Sequence, residues 1–204
     1  MTEADDDRAL VERIRNDEPG AFDEFVDRFG ERIFGFGMRV CGEREDARDV
    51  FQETLLQAFR SLKDLKDPKA LRAWVYRVTA NACLMKRRRG KFEPRRELSL
   101  EELMPGDRGQ STFEIPDTSH DPEDLLARRE LRKDVRRAID DLPAHYRVVL
   151  ILRDMEQLST RETGRILELP ESTVKMRLHR ARLMVRRELT TLAAVAVNDE
   201  GGDS

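Results

Sequence analysis

The side chains whose spacing suits chemistry point to binding rather than to bond-making. Between residues 158 and 182 a basic set, Lys175, Arg177, Arg180 and Arg182, follows a segment that opens on Ser159 and Glu162. Those two stand three apart, the spacing of a capping box, so a helix is expected to start there. Gly164 is small enough to let a second helix cross closely, and Leu169-Pro170 turns the chain. Val174 and Leu178, four apart, share one helical face and leave the cations for the other side. A short supporting helix, a tight turn and a longer basic helix make a helix-turn-helix, which enters the major groove of DNA. The competing reading, a helical hairpin with a solvated basic face, explains the charge but not Gly164, the Pro170 turn and the Val174/Leu178 pair together. Within the second helix, Ser172 and Thr173 occupy the amino-terminal turn, where free amides favour a phosphate. Lys175, Met176, Arg177, His179 and Arg180 are available to the groove. Arg180 and Lys175 are the expected base readers, Arg177 and Arg182 the expected phosphate contacts.

Two more sets lie upstream. Lys63, Lys66, Arg72, Arg77, Lys86, Arg87 and Arg88 are interleaved with Trp74, Tyr76 and Asn81. Cations, rings and amides in that mixture hold single-stranded nucleic acid. Trp74 shares a stripe with Leu71, Val75 and Val78 and is expected in the core, which leaves Tyr76, Arg77 and Asn81 to face outward. Asp46, Asp49 and Glu53 fall at i, i+3 and i+7, one acidic helical face, with Ala47, Val50 and Phe51 opposite or at its margins. Such a face is equally at home as plain solvated surface. Enzyme chemistry finds no footing. His120, His145 and His179 are scattered and form neither metal nor triad spacing, and no cofactor motif is present. Cys41 and Cys83 have no ligand-like neighbour and are expected as reduced thiols.

These groups need elements to hold them, and the sequence supplies helices. The chain has 204 residues, 39% of them charged and only 6% aromatic, which suits small helical bundles with thin cores. Apolar residues recur at three- and four-residue steps from 6 to 89, as in Phe22, Phe25, Val26, Phe29, Ile33 and Phe36. Gly42 and Asp67-Pro68 break the pattern. From 90 to 121 prolines and glycines dissolve it, apart from a weak local helical pattern over 98–103. It returns at Pro122 with Leu125, Leu126, Leu131, Val135, Ala138, Ile139 and Leu142 in one stripe. Charge is segregated accordingly: residues 62–96 carry 12 basic and 3 acidic side chains, residues 97–122 carry 1 and 7. The expected fold is all-α, two small helical domains at 1–89 and 123–192 joined by a long flexible acidic linker at 90–122, the second containing the helix-turn-helix, with a disordered tail at 193–204. No stretch approaches the roughly 20 apolar residues of a membrane span, and the amino terminus lacks a signal core, so a cytoplasmic protein is expected.

At this point a family resemblance emerges. Arg161-Glu162, Ile166-Leu167, Leu169-Pro170-Glu171, Thr173-Val174-Lys175 and the run from Arg177 through Leu178, His179, Arg180 and Ala181 to Arg182 resemble the carboxy-terminal domain of extracytoplasmic-function sigma factors. Asp141-Leu142-Pro143 with Tyr146-Arg147-Val148-Val149 resembles that domain's entry. Independently, Asp46, Asp49, Val50, Phe51, Gln52 and Glu53 resemble the family's polymerase-binding helix, and Leu71-Arg72-Ala73-Trp74-Val75-Tyr76-Arg77-Val78 with Asn81 its promoter-melting helix. The resemblance implies core RNA polymerase as partner, through the largest-subunit clamp helices and the flap, promoter DNA in duplex and single-stranded form, and an anti-sigma factor. It implies that the loop over 62–69 captures a minus-ten base, that Lys86, Arg87 and Arg88 hold backbone phosphate, and that the helix-turn-helix reads the minus-thirty-five element. Met85 stands where the family usually has Asp, Glu168 where the turn usually has Gly, Thr163-Gly164 in place of Ile-Ala, and Met176 in place of a small Ser. A helix-turn-helix regulator that binds duplex DNA without polymerase is the rival; it predicts an upstream sensor domain with alternating strands, which the helical first half does not resemble.

Overall fold

The structure, a computed structural model, describes residues 3–89 and 122–200. The expected linker and the short helix near 98–103 fall on 90–121 and so lie outside the described residues. In the first half α1 (Glu3–Arg15), α2 (Ala21–Cys41), α3 (Arg44–Ser61) and α4 (Leu71–Arg89) follow in order, with single 3-10 turns at Leu62–Asp64 and Pro68–Ala70 between the last two. In the second half come α5 (Pro122–Asp140), α6 (Ala144–Leu150), α7 (Thr160–Leu167) and α8 (Glu171–Glu200), α6 continuing through a π turn at Ile151–Met155. Among the described residues there is no strand.

The breaks fall where backbone chemistry puts them. Gly42 takes a left-handed φ of 81° and donates its amide to the Met38 carbonyl, closing α2. The Asp67 side chain accepts from the Lys69 amide at 3.1 Å, and Pro68 opens the turn leading into α4. Phe25, Phe29 and Ile33 of α2 meet Leu10 and Val11 of α1 and Leu71 and Trp74 of α4 in one core, with Trp74 buried as its stripe predicted. Asp7 is only 2% exposed and pairs with Arg28 at 2.7 Å and Arg72 at 3.2 Å, which ties α1 to α2 and α4.

Three points differ from the sequence reading. Leu131 is exposed rather than part of the α5 stripe; α5 seats itself on α8 through its carboxy-terminal turns, where Ala138 is buried. The helix α8 runs on to Glu200, across the expected boundary at 192 and into the expected disordered tail, through an alanine-rich stretch of high helix propensity. The two halves also pack on one another. A second apolar cluster joins Phe36, Val40, Tyr76 and Cys83 of the first half to Tyr146, Val149, Ile166 and Leu178 of the second. α6 lies against both α2 and α4, and α7 against α4.

Candidate nucleic-acid and polymerase interfaces

The helix-turn-helix forms as its sequence requires. The Ser159 hydroxyl accepts from the Glu162 amide at 3.2 Å, and the Glu162 carboxylate accepts from the Ser159 amide at 2.7 Å, completing the capping box. These bonds hold the Glu162 carboxyl below the usual carboxylate range. Gly164 is required by a close approach: a Cβ there would lie 2.8 Å from the Leu169 carbonyl oxygen. Glu168, at the position where the family usually has Gly, adopts a left-handed φ of 55° and caps α7 through the Gly164 carbonyl. Val174, Leu178 and Ala181 are buried and seat α8 against the rest of the half. Ser172, Lys175, Met176, His179 and Arg182 are exposed; Thr173, Arg177 and Arg180 are half-buried.

Two of the cations on this helix are held by groups from preceding elements. Arg182 makes a two-pronged contact with the Asp154 carboxylate at 2.9 and 2.6 Å, which raises the guanidinium pKa. Arg180 donates to the Tyr146 hydroxyl at 3.2 Å. No sequence signal marks Asp154 or Tyr146 as partners of these cations, because both lie a whole element away.

In the first half, Asp49, Gln52 and Glu53 stand exposed on α3, with Asp46 and Phe51 half-buried at the margin. Val50 is fully buried. It is therefore a core residue supporting this face from beneath, not part of the contact surface. Beside it Gly30, Phe34, Arg48 and Phe51 line a shallow apolar groove, the Phe34 and Phe51 rings packing edge to face at 6.1 Å. Lys86 reaches across from α4 to Asp46 at 3.2 Å and also bonds Asp49, and those bonds raise its pKa.

The nucleic-acid set of the first half is split. Lys63, Lys66 and Asn81 are exposed, whereas Arg72 is occupied by Asp7. The side chains of Arg87 and Arg88 lie outside the described residues. Tyr76, expected to face outward, is 6% exposed: its ring packs on Phe36 and its hydroxyl donates to Glu156 of the second half. Burial first, then that bond, pushes the phenol pKa upward. Arg39 pairs with the same Glu156, and Arg77 lies 3.9 Å from Glu168. Arg147, wholly buried, donates to the carbonyls of Val40 at 3.2 Å and Leu142 at 3.1 Å. Cys41 and Cys83 are buried in the same cluster, their Sγ atoms 2.7 Å apart. A cleft lined by Asp67, Lys69, Trp74 and Arg77 on one side and Glu162, Arg165 and Ile166 on the other runs between the halves at the loop after α3. Among the described residues no group of His, Cys, Asp or Glu is arranged to hold a metal ion. None of the described helices is long and apolar enough to cross a membrane.

Comparison with known proteins matches both halves. The model of sigma-70 region 2 matches residues 25–93, and that of sigma-70, region 4 matches residues 132–185. The RNA polymerase sigma-H factor of Pseudomonas aeruginosa is 30% identical over 195 residues, covering 94% of this chain and 98% of that protein. The ECF RNA polymerase sigma-E factor of Haemophilus influenzae is 30% identical over 193 residues, covering 94% and 100%. Among solved structures, CnrH in complex with the cytosolic domain of CnrY superposes with a TM-score of 0.61 at 23% identity, over 91% of this chain and 97% of that one.

Proposed function

The chain belongs to the extracytoplasmic-function group of the sigma-70 family, and from that premise we propose how its two halves bring core RNA polymerase to a promoter. It is a sigma factor that binds core polymerase and directs initiation at promoters carrying minus-thirty-five and minus-ten elements. Binding falls to the outer face of α3. Asp49, Gln52 and Glu53 with Asp46 at the margin present acid to a basic polymerase surface, and complementary charge there speeds encounter and fixes register. Lys63, Lys66 and Asn81, with Arg77 and Tyr76 once the halves part, serve the melted minus-ten strand. Arg72 is given a structural task by Asp7, so its effect on DNA is indirect.

Duplex reading falls to α8. Lys175, Met176 and His179 face the groove, with Ser172 and Thr173 at the amino-terminal turn beside a phosphate. The tether to Tyr146 supports a flanking phosphate role for Arg180, rather than the base contact its type suggested. Arg177 and Arg182 join it as backbone contacts. The polymerase supplies the catalysis, the protein works in the cytoplasm, and an anti-sigma factor holds it in reserve.

The observation that carries this reading is the pairing, in one chain and in family order, of an acidic α3 face with a helix-turn-helix whose outer face is exposed. Its test is reconstitution. Mixed with core polymerase and genomic fragments, the protein is expected to bind core without DNA and to start transcripts at discrete sites sharing two upstream elements. A chain that binds duplex DNA alone as a dimer, and never retains core polymerase, overturns it.

A further inference from the structure

We propose that Met176 is a specificity-determining residue that recognises the 5-methyl group of a thymine in the minus-thirty-five element. The inference rests on the assignment of α8 as the promoter-reading helix. The geometry of that helix selects the residue. Val174 and Leu178 are buried and define the inner face. Met176 stands two residues from each, which at 3.6 residues per turn is about 160° around the helix from both. It therefore lies on the outward centre line, with exposed Ser172 before it and exposed His179 after it. Lys175 and Arg182 sit on one flank and Arg177 on the other, while Arg180, four residues on, lies about 40° from Met176 on the outward face. A helix lying in the major groove turns its centre line to the base edges and its flanks to the two backbones. Asp154 and Tyr146 reinforce the division, since they hold Arg182 and Arg180 back toward the body of the domain.

The groove floor is thus met by a hydroxyl, a thioether and an imidazole, with the Arg180 guanidinium beside them drawn aside to the Tyr146 hydroxyl. Met176 is 43% exposed and belongs to neither apolar cluster, so neither core claims its thioether. Its weakly accepting sulfur and three methylene or methyl carbons have little to offer hydrogen-bonding base edges. The apolar group the major groove displays is the thymine methyl, and apolar side chains contact it there. An unbranched, polarisable side chain adapts to its position.

The test uses the holoenzyme reconstituted from core polymerase and the full chain. Its upstream element is selected from random duplexes, and each thymine of the element is then replaced singly by deoxyuridine, which removes only the methyl group. Affinities are measured by competition for the unaltered protein and for Met176→Ala, whose helix content is checked by circular dichroism. One substitution is expected to weaken the unaltered holoenzyme about three- to five-fold, the size of one buried methyl group. Met176→Ala should bind the thymine and deoxyuridine forms of that position alike. An element whose thymines are all insensitive, an element with no thymine, or a Met176→Ala protein that keeps the sensitivity overturns the proposal while leaving α8 as the reading helix. If no upstream element is enriched at all, the assignment of α8 falls and the proposal with it.

Discussion

Asp49 and Glu53 show how much a single side chain can be asked to carry. Both are exposed on α3, so replacing them with Lys leaves the core untouched. The double variant Asp49→Lys/Glu53→Lys is expected to lose core-polymerase binding in a pull-down while its circular dichroism stays unchanged; normal transcription from it would remove the polymerase role from this face. Arg182 is a second such case. Its bond to Asp154 shows that its charge is fixed in place rather than free to search. A positioned phosphate contact predicts that Arg182→Ala weakens every promoter alike and lowers the slope of log affinity against log salt by about one. A change of base preference in that variant would show that Arg182 reads sequence.

The helix-turn-helix is the element whose stability depends on local rules. A methyl group at Gly164 would sit 2.8 Å from a backbone oxygen that cannot move without opening the turn. Gly164→Ala is therefore expected to destabilise the fold by about 1–3 kcal/mol, although alanine is the better helix former. Urea unfolding measures it, and a neutral or stabilising outcome would mean that the turn is looser than drawn. The capping box makes a pH-dependent claim. Since the folded Glu162 carboxyl titrates below its unfolded value, its contribution is present above the ordinary carboxylate pKa and is lost as pH falls through the folded pKa. Ser159→Ala should cost about 1 kcal/mol near pH 7. That cost should shrink in acid, because protonating Glu162 weakens the same cap in the parent.

At the scale of the whole molecule, the seam between the halves holds Tyr76, which we propose serves the melted strand. Glu156 takes both Arg39 and the Tyr76 hydroxyl, and Arg147 anchors to the end of α2 through the Val40 carbonyl. Tyr76 cannot meet a DNA strand while this arrangement lasts. Glu156→Ala is expected to loosen the seam, raising the radius of gyration in solution scattering and speeding amide exchange in the turns around Val40 and Tyr76. Unaltered exchange there would show that the apolar contact alone holds the halves together.

What the sequence by itself determined was local. The capping box, the Gly164 crossing, the Val174/Leu178 pair, the Gly42 stop and the Trp74 stripe are all set by neighbours within a few residues, where helical periodicity and backbone sterics act directly. The family's two regions were legible for the same reason, each motif being a contiguous run. Only the tertiary structure decided which outward-facing side chains stay available. Arg72 is claimed by Asp7, Tyr76 by Glu156, Arg180 by Tyr146 and Arg182 by Asp154. Each of those pairings joins separate elements, and Cys41 meets Cys83 in the same way. Periodicity tells which face of a helix is apolar; it carries no information about which distant element will be packed there, because that depends on how the faces of several helices fit at once.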